Sequence, residues 1–362
     1  MRAKFRRNII SFTFEIGKTQ LKLLSEDDVA SLLSKSLPPE WSQGETVFWY
    51  HGSDSHNHPG FDWLEFVWNY LRTNFATNDR LRMFTGLPLI PHDMSQVPIS
   101  LARLQHPSKI VVKSLYDEFL VETLIQSLKD LGLVIIQQCP SYLTLHPAVI
   151  NAFIYPPSPH GVLKALSACS SVVESNKHSL TDKGKRSLRK FFSKESSLEP
   201  QAKQLLVTLP LFETLNKSFV SGEGDLCAAP PERSYPVHPR RDLIDVTNDD
   251  SMRLAHLLDI RCLSPIEFFL EVLFPDVKGG HYSNEEMDIL MRFVIERFQV
   301  YARVNPRFEE AMKFLPFVPS KNRRVRAMDL FDPRIELLKQ MLAEEDVFPV
   351  GEQYRNLSLI HI

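Results

Sequence analysis

The stretch "SKIVVKSLYDEFLVETLIQSLKDLGLVIIQQ", Ser108 to Gln138, contains two short apolar runs on either side of an amphipathic segment. The two runs, "KIVVK" and "LVIIQQ", are rich in β-branched residues, which is typical of buried strands. Between them a set of leucines recurs at helical spacing, namely Leu120, Leu124, Leu128 and Leu131. Gly132 then supplies a left-handed helix terminator. The stretch therefore predicts a β-α-β unit with parallel strands and a right-handed crossover.

Three positions place proline directly after a residue that can cap a helix: Ser264-Pro265, Asn305-Pro306 and Asp332-Pro333. Because proline lacks an N–H and has a fixed φ, the first helical position suits it, and each pair predicts a helix start. Two capping boxes are also predicted, Ser264 with Glu267 and Ser283 with Glu286. Apolar stripes follow these two caps: Ile266, Phe269, Leu270 and Leu273, then Met287, Leu290, Met291, Val294 and Phe298.

Further helices are predicted by periodicity near residues 26–36, 61–75, 147–153, 160–168, 181–193 and 249–258. Helix therefore outweighs strand. The predicted class is α+β, predominantly helical, with short strand pairs and one β-α-β unit.

A Leu-Pro motif recurs three times, each time after a helical segment: "GLPLIPHD" (86–93), "TLPLFETL" (208–215) and "FLPFVPSK" (314–321). Proline disfavours the helical conformation at the preceding leucine and donates no hydrogen bond. Each copy therefore predicts a helix stop followed by an extended, edge-type segment. The unequal spacing argues against a solenoid and favours a modular repeat segment.

The predicted organisation has five parts. A helical N-terminal segment covers 1–85, a mixed α/β segment 86–221, an exposed linker 222–241, a mainly helical segment 242–354, and an atypical tail 355–362. The linker assignment depends on "GEGDLCAAPPERSYPVHPRR", which concentrates glycine, proline and charge.

The composition is that of a globular protein, with 362 residues, 43% of them hydrophobic and 24% charged. A formal net charge of −2 gives no overall field that would attract nucleic acid or anionic lipid. The four cysteines are scattered, Cys139, Cys169, Cys227 and Cys262, and no apolar run approaches the length needed to span a bilayer. We expect a cytoplasmic protein without a signal peptide, a membrane span or a nucleic-acid partner.

The segment from Leu209 to Asp225 holds the only G-x-G spacing, at Gly222 and Gly224. A dinucleotide fingerprint would need a third glycine leading into a helix, but Cys227 stands there and Ala-Ala-Pro-Pro follows. The segment predicts a turn between strands and no phosphate site.

"HGSDSHNHPGFDW" gathers His51, Asp54, His56, His58 and Asp62, whose imidazoles and carboxylates could hold zinc. No helical H-x-x-x-H spacing or cysteine fixes their geometry. A polar loop before a helix is therefore the favoured interpretation, with a metal site as the alternative.

Two basic clusters stand out, "KGKRSLRK" at 183–190 and "KNRRVR" at 321–326. Without interleaved aromatic residues they favour a solvated helix face or an ion-paired protein contact over nucleic-acid binding. Acidic runs such as Glu285-Glu286, Glu309-Glu310 and Glu344-Glu345-Asp346 lie at predicted helix starts or ends.

The chain carries no G-x-S-x-G elbow, no H-E-x-x-H helix and no Walker loop. We therefore expect a protein that is not an enzyme, with no catalytic residue, no cofactor site and no metal site.

Several long segments resemble the sacsin family of very large, chaperone-related proteins. They are "LSEDDVASLLSKSLPPEW" (24–41), "GLPLIP" (86–91), "LPLFETLNKSFVS" (209–221), "SPIEFFLEVLFPDVKGGHYSNEEMDILMRFVI" (264–295), "VNPRFEEAMKFLPFVPS" (304–320) and "AMDLFDPRIELLKQMLAEEDVFPVG" (327–351). The resemblance extends over roughly residues 20–354. It implies a cytosolic chaperone or co-chaperone that works on cytoskeletal clients together with the seventy-kilodalton heat-shock chaperone.

The family's ATPase module requires D-x-G-x-G, and its J domain requires H-P-D. Neither motif occurs in this chain. The resemblance therefore implies an internal segment outside both modules, a scaffold or client-contact region. The alternative is an accessory part that completes a nucleotide site of a neighbouring module, for example by offering Arg323 or Arg324 to a phosphate.

Overall fold

The computed structural model describes residues 26–51, 57–75, 77–94, 97–113, 121–136, 139–144, 149, 152–231, 236–320, 323–332, 334–342 and 347–350. The chain divides into two compact units, Met1–Leu211 (unit 1) and Phe212–Ile362 (unit 2). About 51% of the structure is helical and the strands form small sheets, so the predicted α+β class is confirmed. The finer division into five segments stays a prediction.

Unit 1 contains nine described α-helices, several of them short. They are α1 (Glu26–Ser36), α2 (Trp63–Asn74), α3 (Asn78–Leu81), α4 (Glu122–Asp130), α5 (Ser141–Thr144), α6 (Pro159–Ala168), α7 (Ser170–Asn176), α8 (Asp182–Phe192) and α9 (Pro200–Thr208). Its described strands are β1 (Thr46–Trp49), β2 (Pro88–Asp93), β3 (Ile99–Arg103), β4 (Ile110–Val112) and β5 (Val134–Ile136).

The strands of unit 1 form two sheets. An antiparallel sheet has the order β1-β3-β2, and β4 pairs with β5 in parallel. Tyr155 adds a parallel bridge to Val111 on β4. The core of the unit contains the fully buried rings of Trp41, Trp49 and Trp68. Two of these indoles also bond to backbone: Trp49 donates to the Pro59 carbonyl and Trp68 to the Leu89 carbonyl, each at 2.7 Å.

The predicted β-α-β unit is confirmed as β4-α4-β5. Leu124, Leu128 and Leu131 are buried as the leucine stripe predicts, whereas Leu120 lies outside the described residues. Gly132 ends the helix with φ +95°, where the Leu133 N–H donates to the Leu128 carbonyl at 3.0 Å.

Unit 2 has six described α-helices: α10 (Asp249–Leu257), α11 (Pro265–Phe268), α12 (Phe274–Lys278), α13 (Asn284–Val304), α14 (Pro306–Lys313) and α15 (Glu336–Met341). Its strands are β6 (Phe212–Glu213), β7 (Phe219–Val220), β8 (Pro316–Pro319) and β9 (Arg324–Arg326), which form two antiparallel pairs. Helix α10 ends in the same way as α4. Asp259 has φ +54°, and the Ile260 N–H donates to the Ala255 carbonyl at 2.9 Å.

Both capping boxes are confirmed, at Ser264 with Glu267 and at Ser283 with Glu286. The backbone N–H of Ser264 and the Arg261 guanidinium lower the pKa of Glu267 to about 2, so this capping carboxylate is ionised at neutral pH. The predicted apolar stripes are buried, except that Leu270 is half-buried. Phe269 joins a ring cluster with Phe274, Phe293, Tyr301 and Phe308.

Between α11 and α12 the helix continues as a π-helical segment, Phe269–Leu273. Pro275 lies two residues after the end of this segment and has no N–H to donate to the preceding turn. The wider π turn accommodates a proline that would interrupt the hydrogen-bond ladder of a regular α-helix. Pro265 to Lys278 thus remains helical throughout.

All three Leu-Pro motifs behave as the sequence predicts. The leucines Leu87, Leu209 and Leu315 are buried, and the residue after each proline donates its N–H to the leucine carbonyl, at 3.0, 2.8 and 3.0 Å. These i to i+2 bonds are γ-type turns centred on proline. Each turn starts the first strand of an antiparallel hairpin: β2-β3, β6-β7 and β8-β9.

The segment 222–241, for which the sequence predicts an exposed linker, mixes exposed and buried residues in its described part. Glu223, Gly224 and Asp225 are exposed. Ala228 is buried and forms bridges to Ile244 and Cys262.

Most of the helix predicted at 147–153 lies outside the described residues; Val149, Ala152 and Phe153 are described, and the N–H groups of Ala152 and Phe153 donate to the Val149 carbonyl in a turn. One predicted helix start is wrong. The predicted start at Asp332-Pro333 is replaced by α15, which begins at Glu336. The Asp332 carboxylate instead accepts the backbone N–H and guanidinium of Arg334.

The contact between α4 and α8 gives the first testable prediction. A Cβ at Gly184 would lie 2.4 Å from Ser127 Oγ, so Gly184→Ala should destabilise unit 1 by about 1–3 kcal/mol, although alanine favours helices by about 1 kcal/mol. Ser127→Ala/Gly184→Ala should recover most of the loss, because the Ser127 Cβ would be an ordinary 3.5 Å away. Urea unfolding monitored by tryptophan fluorescence measures the free energy of unfolding of unit 1, because all four tryptophans lie in that unit: Trp41, Trp49, Trp63 and Trp68.

Ser127→Ala alone is the matched control. The Ser127 hydroxyl donates to the Thr123 carbonyl of its own helix at 2.8 Å, so this single substitution should change the free energy of unfolding only slightly. A double variant as unstable as Gly184→Ala would contradict the clash.

Candidate functional site

The G-x-G segment forms a turn between extended residues, as the sequence predicts. Gly222 to Asp225 lies between β7 and Ala228, and Gly224 has φ +82°. The chain continues into the bridges of Ala228 rather than into a helix, so no helix N-terminus is present to hold a pyrophosphate.

The histidine-rich loop is only partly described, because Asp54 and His56 lie outside the described residues. His58 is 2% exposed; its Nδ1 accepts the Tyr50 N–H at 2.9 Å, and its Nε2 lies 2.8 Å from Glu40 Oε1. Both ring nitrogens are therefore occupied by protein bonds, which leaves no lone pair for zinc. Within the described residues, no group of three or more histidine, cysteine or carboxylate side chains could hold a metal ion.

Three of the four cysteines, Cys139, Cys169 and Cys262, lack the environment of a reactive thiolate. Burial raises the pKa of the Cys139 thiol to about 12, and it also raises the pKa of Cys169 and Cys262. A protonated thiol is a poor nucleophile at neutral pH. These three side chains therefore behave as small packing groups.

The acidic pair Glu285-Glu286 begins α13, as the sequence predicts. The backbone N–H of Ser283 lowers the pKa of Glu286, with a further contribution from Arg240. Arg240 also lies over the Tyr282 ring at 5.3 Å. Glu286 thus stabilises a helix start and an ion pair. The acidic run Glu344-Glu345-Asp346 lies outside the described residues.

The basic cluster at 183–190 lies on α8. Four exposed cationic side chains occupy one face of that helix and the turn after it; we call Lys183, Arg186, Lys190 and Lys194 the α8 basic stripe. Lys185 lies off this stripe and pairs with Asp182 at 3.0 Å, and Arg189 is buried.

The described residues of the second basic cluster, 323–326, line a groove of about 400 Å³ together with Pro316, Asp329 and Val347, while Lys321 and Asn322 lie outside the described residues. Arg324, 15% exposed, donates to Asn284, to the Phe317 carbonyl and to Asp288 at 2.8–2.9 Å. Arg326 forms a two-point contact with Asp329. Of the two arginines that the sequence suggests for a phosphate, Arg324 thus ties the β8-β9 hairpin to α13, while Arg323 is exposed at the groove.

Sequence reasoning did not identify an exposed apolar surface near the end of unit 2. Helix α15 has no buried residue, with Leu337 67% and Met341 71% exposed. Between residues 328 and 341 the large exposed apolar side chains are Met328, Phe331, Ile335, Leu337 and Met341, which we call the C-terminal apolar cluster. Exposed apolar groups this dense mark contact surfaces in many proteins.

The described residues hold no helix that is both long and apolar enough to cross a bilayer. The described part of the chain is an α+β structure whose notable surfaces are a basic helix face, an arginine-lined groove and a set of exposed apolar side chains.

Comparison with known proteins confirms the resemblance to sacsin that the sequence segments indicate. The chain is 28% identical to human sacsin over 347 residues, which is 91% of this chain and 7% of sacsin. It is thus similar to a small segment of that much longer relative. No protein-family model matches the chain, and no solved structure matches it.

The two adjacent arginines of the groove give a second prediction. Arg324→Ala should destabilise unit 2 by about 1–3 kcal/mol, because it removes several hydrogen bonds, among them the one that the guanidinium donates to the Phe317 carbonyl. Arg323→Ala, the matched control, should change stability by less than about 0.5 kcal/mol. Urea unfolding followed by far-ultraviolet circular dichroism compares the two, and equal losses would refute the assignment of Arg324 as the structural arginine.

Proposed function

We propose that this chain is a non-catalytic, protein-binding segment of a sacsin-like, chaperone-related protein that works in the cytoplasm. The observation that carries the proposal is the similarity to sacsin across 91% of the chain. The chain matches only 7% of that relative, so the role belongs to a segment and not to a whole chaperone.

The C-terminal apolar cluster supports a client-contact role. Helix α15 has only six residues, and isolated helices of that length are marginal in water. Leu338 of this helix is half-buried, whereas Leu337 and Met341 are exposed and gain little from this chain's own core. A polypeptide that covered Leu337 and Met341 would gain about 1.5–3 kcal/mol for each side chain buried.

The partners proposed here follow from the resemblance: unfolded or cytoskeletal client proteins, with the seventy-kilodalton heat-shock chaperone acting in the same process. Exposed methionine and leucine side chains suit varied clients, since flexible apolar groups adapt to different shapes.

The test of client contact is suppression of aggregation without nucleotide. The full chain, at equimolar or higher concentration, should lower the light scattering of insulin reduced with dithiothreitol. Leu337→Ser/Met341→Ser should weaken that suppression roughly tenfold or more, because two apolar contacts are lost.

Val304→Ser is the matched control, because Val304 is 71% exposed and lies on α13 outside the cluster. Its suppression should equal that of the unmodified chain. No suppression by the unmodified chain, or equal loss in both variants, would remove the client-contact role and leave a passive scaffold.

A second candidate is an accessory part of a heat-shock-type ATPase repeat, which would complete a nucleotide site supplied by a neighbouring module. The exposed Arg323 at the 400 Å³ groove favours this candidate, because a guanidinium can bind a phosphate with two hydrogen bonds.

Calorimetric titration with Mg-ATP separates the two candidates. If the groove completes a site, the chain joined to its upstream module should bind ATP, the isolated chain should not, and Arg323→Ala should abolish binding in the joined form. Binding that is unchanged by Arg323→Ala would exclude the groove.

A further inference from the structure

Helix α13 carries a regular row of exposed side chains on the side that faces solvent. Its members follow one another at steps of four, three, four, three and four residues. We call them the α13 row: Glu285, Ile289, Arg292, Glu296, Gln299 and Arg303. Alternating steps of four and three are the spacing at which the contact positions of a coiled coil recur. The row is about 27 Å long, at a rise of about 1.5 Å per residue.

The opposite side of α13 is fixed in the core of unit 2 by a set of buried side chains: Met287, Leu290, Met291, Val294 and Phe298. The row is therefore displayed by a helix whose position is set by packing. Side chains arranged in advance bind a partner with less entropy loss than flexible ones.

The charges of the row alternate in sign along the helix, in the order Glu285, Arg292, Glu296 and Arg303. Reversing the direction of the row exchanges every sign. Glu285 and Arg303 are equally far along the chain from Val294, and so are Arg292 and Glu296. A second copy of α13 that ran antiparallel, about a two-fold axis level with Val294, would therefore place an opposite charge against each charge of the row.

The contact that Glu296 already makes is compatible with such a pair. Its carboxylate accepts one hydrogen bond from Arg297 Nη1, at 3.3 Å. The Glu296 side chain is still 62% exposed, and an ionised carboxylate has further lone pairs on both oxygens. A second guanidinium can therefore bind Glu296 without displacing Arg297.

Exposed apolar side chains accompany these charges. Ile289 is 52% exposed, and Val300, at the edge of the row, is 62% exposed. In the antiparallel arrangement Ile289 faces Gln299 of the second copy and lies beside its Val300. Both apolar side chains would then lose contact with water, which favours association.

The same row disfavours other arrangements and other partners. In a parallel pair each side chain would meet its own copy, so that like charges would oppose each other at all the charged positions. Two acidic and two basic members give the row no net charge that would attract nucleic acid or an anionic membrane.

We infer that the α13 row is a self-docking surface, through which a second copy of this chain binds as an antiparallel, two-fold symmetric dimer. A strip about 27 Å long and one helix diameter, about 10 Å, wide is smaller than the roughly 800 Å² per partner of a standard interface, so the dimer is weak. The row shares no residue with the C-terminal apolar cluster, so self-docking and client contact are tested separately.

The test measures self-association of the full chain by sedimentation velocity over a wide range of concentrations. The unmodified chain should shift from monomer to dimer as its concentration rises, and high salt should weaken the dimer by screening its ion pairs. Arg292→Glu alone and Glu296→Arg alone should each weaken dimerisation roughly tenfold, because by symmetry each substitution opposes like charges at two contacts.

An equimolar mixture of these two variants should dimerise about as tightly as the unmodified chain, because opposite charges would again meet at both contacts. Failure of the mixture to recover dimerisation would overturn the proposal, and so would an unmodified chain that stays monomeric at every concentration.

The matched controls are Arg253→Glu and Glu310→Arg, which make the same charge changes at exposed positions of α10 and α14, outside the row. Each should dimerise like the unmodified chain. Weakening in these controls equal to that in the two row variants would show an effect of overall charge and would contradict docking through α13.

Discussion

Proline at the end of a helix is the constraint on which much of this fold depends. Three times the chain runs a helical segment into Leu-Pro, buries the leucine, turns through a single hydrogen bond across the proline and starts a hairpin. Because proline can neither continue the helix nor donate to a ladder, each hairpin begins at a fixed residue. The first strands of these three hairpins, β2, β6 and β8, are thereby placed by local chemistry.

Helix ends provide a second recurring device. Helices α4 and α10 terminate in the same pair of backbone bonds around a left-handed residue, which is Gly132 in one case and Asp259 in the other. In both places an extended residue follows and pairs in parallel with an earlier part of the chain. Both units therefore use the same local device to turn from a helix into a parallel bridge, even though their sheets differ.

The local features were predictable from sequence, and those set by distant partners were not. Both capping boxes, the leucine stripe of α4 and the Leu-Pro stops depend on residues a few positions apart, and all were predicted. The local prediction that failed is the helix start at Asp332-Pro333, where Asp332 binds Arg334 instead. Among the features set by distant partners, the bridge of Tyr155 depends on β4, some 40 residues earlier in the chain. Arg323 and Arg324 look alike in sequence, yet only Arg324 reaches Asn284, 40 residues away. Periodicity also suggested nothing unusual at α15, because an apolar stripe does not reveal whether anything covers it.

The surfaces left by this fold are consistent with a protein that acts through contact. The described thiols that titrate abnormally are protonated, and His58 is fully engaged in protein bonds. The charged side chains of the α13 row and Leu337 and Met341 of α15, in contrast, are exposed. A charged surface and an apolar surface favour different partners, because ion pairs are selective and apolar contacts are permissive.

The π-helical turn before Pro275 has a consequence for how this sequence can vary. A π turn contains one residue more than the α turn it replaces. The segment Phe269–Leu273 is therefore where the helix from Pro265 to Lys278 accommodates one extra residue. Relatives that lack one residue here can close the turn into regular α-helix and keep both flanking apolar faces directed inward. Length differences among related chains are therefore expected inside this helix, a location where insertions and deletions are otherwise rare.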